Sequence, residues 1–164
     1  MKIDTSKKVI KHNFYGFFFT LIIVISIGTL LVTRIYNEKL FGVDKNILSI
    51  ILAVIFLLYL LYNYLHDYHY FYFSDEEDDK LIFRHFPIKI MIEKKVSIEI
   101  PKKDFVGFYI EKKLIGLKEY LIIYQKTDKK IGKYHPISIS FLNKNEKEQL
   151  FSTLNKYGEN KKFI

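Results

Sequence analysis

The chain has 164 residues, with 26 Lys and Arg, 18 Asp and Glu, and no cysteine, which excludes disulfides, thiolate metal sites and cysteine nucleophiles. Residues 1–65 carry seven basic and three acidic groups, and residues 66–164 carry nineteen and fifteen. Each part is therefore +4, with no dense basic stripe of the kind duplex binding needs, so nucleic acid is not an expected partner while an anionic membrane surface is.

Residues 1–12 read as a basic N-terminal tail carrying Lys2, Lys7, Lys8 and Lys11. Residues 13–33 and 46–65 are uncharged and apolar. At about 1.5 Å per residue, each is long enough to cross a hydrocarbon core about 30 Å thick. Residues 14–33 and 46–65 each hold thirteen Leu, Ile, Val or Phe. At roughly −0.3 to −0.6 kcal/mol apiece, insertion is favoured by on the order of −4 to −8 kcal/mol per span. Core helices of soluble proteins rarely stay apolar all round for so long. A cleaved signal peptide fits the basic start, but the apolar region is too long and no small-x-small site follows Leu31. Residues 13–65 thus predict a two-helix transmembrane hairpin.

Flanking charge sets its orientation. Lys2, Lys7, Lys8, Lys11 and Lys80 lie outside the hairpin, against Arg34, Lys39 and Lys45 in its loop. Five against three predicts both termini in the cytoplasm. Aromatic clusters (Phe14, Tyr15, Phe17, Phe18 and Phe19; Tyr59, Tyr62, Tyr64 and Tyr68) mark the same interface. Ser49 with Ala53, and Ser26 with Gly28 and Thr29, are small residues that would let the helices approach closely.

Residues 66–158 read as a water-facing domain. The period changes to that of strands at 68–73, 81–86, 88–92, 96–100, 105–110, 117–124 and 137–141. Turn residues separate them, with polar breaks at 75–79 and 127–130. Alternation in 137–141 puts Ser138 and Ser140 on the wet face. A helix follows: Asn143 and Glu146 suit a capping box, Leu150, Phe151, Leu154 and Tyr157 make one apolar stripe, and Gly158 is a natural C′ stop. Residues 159–164 are left as a tail. The expected class is α+β: the membrane hairpin, then a seven-stranded antiparallel sandwich or barrel capped by a C-terminal helix.

Seven strands closed by one amphipathic helix is the pleckstrin-homology (PH) order. The segment Val96-Ser97-Ile98-Glu99-Ile100-Pro101-Lys102-Lys103-Asp104-Phe105 resembles the strand, Ile-Pro, Asp, apolar segment of bacterial PH-like domains. Ile115-Gly116-Leu117-Lys118-Glu119-Tyr120-Leu121 is similar to their turn into the next strand. A two-span hairpin ahead of such a domain is similar to that of bacterial membrane-flanked families, including the YcxB-like architecture. The resemblance covers residues 68–157. It implies a membrane-tethered binding or regulatory module and carries no catalytic residues. The loop that is basic in inositide-binding relatives is Asp75-Glu76-Glu77-Asp78-Asp79 here, and five carboxylates would repel a phosphorylated headgroup.

Other sites read blandly. His66 and His69 would share a helix face but lack a third metal ligand. Residues 75–79 lack the spaced ligands and glycine of a calcium loop. No phosphate loop or nucleophile elbow is visible, and His85 and His135 have no evident catalytic partners. No cofactor or metal is implied, and no enzyme is expected. Lys94, Lys95, Lys102, Lys103, Lys112 and Lys113 are the candidate lipid-surface contacts. The expected role is a non-catalytic, inner-membrane module with an unknown protein partner. A peripheral anionic-lipid sensor and a small subunit of a transport complex, working as a homo-oligomer, are the alternatives.

Overall fold

A computed structural model describes residues 1–32, 44–66, 68–88, 95–127 and 130–162. Of the expected elements, the hairpin loop and most of strand 88–92 lie outside these residues, as does Lys94. The chain divides into two compact units: residues 10–64, and residues 1–9 together with 65–164.

The first unit is helical. Helix α1 (Ser6–Val32) and helix α2 (Lys45–His66) are both long and apolar enough to cross a membrane. Their faces leave Ile22, Val24, Ile50 and Leu57 exposed, as expected of helices whose solvent is lipid. Asp44 starts α2: its carboxylate accepts from the Asn46 N–H at 2.7 Å and its carbonyl from Leu48 at 3.0 Å. The middle of α1 meets α2, with the Phe19 and Tyr59 rings 4.6 Å apart. The close approach falls at Gly16, where a Cβ would sit 2.6 Å from the Tyr59 hydroxyl. Gly28, in the Ser26, Gly28 and Thr29 patch, shows no such approach. It has open space around it, and the Thr29 hydroxyl turns back to the Ser26 carbonyl at 2.9 Å.

The second unit is built on two sheets. Strands β1 (Lys2–Asp4), β2 (His69–Ser74), β3 (Lys80–Pro87) and β4 (Val96–Pro101) form an antiparallel sheet in chain order. Strands β5 (Phe105–Lys113), β6 (Lys118–Lys126), β7 (Ile131–Lys133) and β9 (Glu159–Asn160) form the second, in the order β7-β6-β5-β9, with β8 (Ile137–Ser138) also on β6. Helix α3 (Lys144–Leu154) packs Leu150 and Leu154 into the core that both sheets share with Phe71, Phe73, Phe83 and Phe108.

Several expectations change. Residues 1–12 are not a tail: β1 pairs with β2 in the register Ile3 with Phe73, and α1 begins at Ser6. Nine strands stand among the described residues where seven are expected. They form two sheets and no closed barrel, because no ladder joins β4 to β5 among the described residues. The break has a local cause. Pro101 has no N–H to donate, and the chain then turns through the single 3₁₀ turn Lys102–Asp104. Strand 137–141 shrinks to two residues. Ser138 is buried rather than wet, between the fully buried Ile137 and Ile139. The second sheet is not purely antiparallel, since β9 runs parallel to β5.

The capping box forms as expected, with Asn143 and Glu146 exchanging two bonds of 2.8 Å. Gly158 has a different task from the expected one. Its φ is not positive; Gly116 is the one described glycine that is. A Cβ at 158 would lie 2.6 Å from the Val106 carbonyl and 2.8 Å from the Gly107 nitrogen. The glycine lets the chain lie against the β5 bulge at Phe105/Gly107, where β9 pairs.

Gly158→Ala should therefore destabilise the full chain by about 1–3 kcal/mol, as overpacking does. Gly132→Ala, whose Cβ would meet only an ordinary 3.6 Å contact, should leave thermal unfolding nearly unchanged. Equal melting temperatures for the two variants would contradict this reading of the bulge.

Candidate functional site

The sheet unit has two distinguishable ends. The chain leaves β1 for α1 after Asp4 and returns from α2 at His69, so these residues mark a helix end. The β2–β3 turn at 75–79 marks the far end.

The lysines expected to meet lipid divide between them. Lys102 and Lys103 follow β4 at the far end, where Pro101 pairs with Lys80. Lys102 is committed there: its ammonium donates to the Asp75 carbonyl at 3.0 Å and the Glu77 carbonyl at 2.7 Å, and lies over the Tyr157 ring. It straps the acidic turn to the fold. Asp75 accepts from the Tyr157 hydroxyl and pairs with the Met1 amino group. Burial alone would raise its pKa, but these donors and Lys102 hold the carboxyl below its ordinary value.

Lys95, Lys112 and Lys113 lie at the helix end. Lys95 precedes β4 and sits over Phe86, whose strand partner is Tyr70. Lys112 and Lys113 close β5. A six-residue strand separates the two ends by about 20 Å. The Debye length in physiological salt is about 8 Å, so one charged surface cannot act on both groups. Of the five described lysines, Lys95, Lys112 and Lys113 share one end and Lys102 and Lys103 the other.

Next to Lys112 lies a recess of about 340 Å³, lined by Ile110, Lys112, Glu119, Lys144, Lys147, Glu148 and Phe151. The β5–β6 hairpin forms one wall and the first turns of α3 the other. Ile110 and Phe151 supply apolar surface, and the Phe151 ring stacks on buried Phe108. Glu119 organises the rest. Its carboxylate pairs with Lys147 of α3 and lies 3.5 Å from Lys112 across the hairpin. Its N–H donates to the Ser140 hydroxyl at 3.0 Å, and its carbonyl accepts from Ile139 at 2.9 Å. Burial would raise the Glu119 pKa, but Lys147 and Lys112 outweigh it and hold the carboxyl ionised. The recess thus has an apolar floor and a rim of both charge signs. It suits a polypeptide segment better than a small anion. Sequence reasoning missed it because its parts come from three separated stretches.

Among the described residues, no group of three or more ligating side chains converges. His66 stacks on Tyr68 and His69 on His85. His85 faces the core, with both ring nitrogens buried and without hydrogen bonds. Burial, and then the nearby His69 and His135, lower its pKa to about 4.

No protein-family model, curated protein or solved structure matches the chain.

The neutral His85 ring is the folded form, while the unfolded chain takes up a proton near pH 6.5. Stability should be complete above that pH and fall as the pH drops from 6.5 toward 4, by at most about 3 kcal/mol. His85→Phe should flatten this window in thermal melts of the full chain. Glu119→Gln should leave it intact and instead reduce the further loss on acidifying through the carboxylate range. An unchanged slope in His85→Phe would show that the ring is not buried neutral.

Proposed function

We propose that the chain is a non-catalytic binding module, anchored in the bacterial inner membrane by α1 and α2 and holding a PH-like domain in the cytoplasm. One observation carries this: the two apolar helices are an insertion between paired strands of one sheet. Asp4 of β1 pairs with Tyr72 of β2, and α1 and α2 fill the connection between those strands. With both helices spanning the bilayer, both flanks lie on one side, as the pairing demands. The basic excess outside the hairpin makes that side the cytoplasm.

The PH-like reading draws on the order of parts. A four-stranded antiparallel sheet comes first, then a second sheet, then a capped terminal helix on a shared core. Such a build supports binding more often than chemistry, and this step rests on fold analogy. The partner is a protein segment seated in the recess between the β5–β6 hairpin and α3, with an apolar side chain on Phe151 and charged groups matched to Lys144 and Glu148. Lys95, Lys112 and Lys113 favour contact with anionic lipid as an orienting role beside the protein partner, and the bilayer is a partner in either case.

Full-length protein should stay in the membrane pellet through an alkaline wash and leave it only in detergent. Release by alkali alone would remove the anchor. A photo-reactive phenylalanine analogue at Phe151, in intact cells, should give one discrete adduct with a partner. The same group at Lys103, at the far end, should give none, and equal yields at both would sink the recess as the binding site.

A further inference from the structure

The β5–β6 hairpin ends in a turn that the domain itself does not use. Lys113 pairs with Lys118, leaving residues 114–117 as the loop. Gly116 donates to the Lys113 carbonyl at 3.2 Å and Leu117 to the Leu114 carbonyl at 3.1 Å. Leu114 and Ile115 have φ of 50° and 55°, followed by Gly116 at 87°. Turns with two such central residues ordinarily take Asn-Gly. A β-branched residue there is a steric outlier. Folding does not repay the choice: Ile115 is fully exposed, and Leu114 and Leu117 are 49% and 44% exposed. Three large apolar side chains therefore stand in water on a strained loop.

The loop lies at the helix end. Tyr68, just after α2, has its ring 4.8 Å from that of Phe141. Phe141 follows Ser140, whose hydroxyl accepts from Glu119. Lys8, in the first turn of α1, pairs with Glu146 in the first turn of α3. Glu119 is next to Lys118, at the base of the loop. The apolar tip thus extends from the same end of the sheet unit through which the chain passes to and from its two membrane-length helices. Lys112, Lys113 and Lys118 flank the tip, with Glu119 and Glu111 just behind it, each 3.5 Å from Lys112 and Lys113 respectively, while the carboxylates of 75–79 sit at the far end.

We infer that residues 114–117 are a membrane-inserting finger, which buries Leu114, Ile115 and Leu117 in the surface of an anionic bilayer while the flanking lysines meet lipid headgroups. This rests on the reading of α1 and α2 as membrane spans. An apolar side chain ringed by lysine is the composition that interfacial anchors use. The finger would fix the tilt of the domain and hold the neighbouring recess at a set height above the lipid.

The absence of cysteine permits single-site labelling of the full chain. Ile115→Cys, Ile131→Cys and Leu57→Cys would each carry an environment-sensitive dye, reconstituted in vesicles of phosphatidylcholine with or without phosphatidylglycerol. Ile131 is a control of matched character: it is 47% exposed, at the start of β7 and at the opposite end of β6. Leu57 reports on α2 itself. The expected result is blue-shifted emission at 115 that acyl-chain-brominated lipids quench, more strongly with phosphatidylglycerol, with aqueous emission at 131. An aqueous signal at 115 beside a quenched one at 57 overturns the finger and leaves the anchor standing. An unquenched signal at 57 overturns the anchor as well. A blue shift at 115 that brominated lipids do not quench indicates a protein contact and also overturns the finger.

Discussion

Pairing between a three-residue N-terminal strand and β2 is the constraint on which the structure depends. Lys2, Ile3 and Asp4 lie opposite Ser74, Phe73 and Tyr72. Thr5 locks the end of that ladder. It is fully buried; its hydroxyl donates to the Phe71 carbonyl at 3.0 Å and accepts from the Phe71 N–H at 2.8 Å. A buried hydroxyl that uses both its donor and an acceptor site has no desolvation debt. One residue later the chain is helical, with the Ser6 N–H on the Asp4 carboxylate. The first flank of the helical pair is part of the domain's own sheet.

That arrangement explains how much of the fold could be read in the residues. The apolar helices were legible from length and composition alone, because a run of about twenty uncharged, apolar residues is recognised without any periodicity. Strands β2 to β6 and the Asn143–Glu146 cap were legible because alternation and capping are local signals. β1 was not: three residues among lysines have no period, and only Phe71 and Phe73, some seventy positions away, make them a strand. β7 and β9 are too short for the same reason. Gly158 was recognisable as special, but its cause lies in the approach to β5, which no local pattern encodes. Ser138 shows the opposite failure, since a clean alternation was overridden by packing under the sheet.

The candidate site was the least legible part. Six lysines look alike along the chain, yet topology sends Lys102 and Lys103 to one end and Lys95, Lys112 and Lys113 to the other. Electrostatics over a strand's length is screened at physiological ionic strength. Position along the strand thus decides which charges can act together, and position is a tertiary fact. The acidic turn changes its meaning likewise: Asp75 and Lys102 fasten the far end rather than merely solvating a loop.

The direct measurement is a disulfide between β1 and β2 in the membrane-inserted chain. Asp4 and Tyr72 are register partners that point away from the core. Paired strands hold such Cα atoms about 4.5–5.5 Å apart, within reach of a disulfide. Asp4→Cys with Tyr72→Cys should oxidise rapidly within one chain in intact membranes, while Asp4→Cys with Lys103→Cys at the far end should not. Two free, reactive thiols at 4 and 72 in the inserted protein would show that β1 does not pair with β2 there.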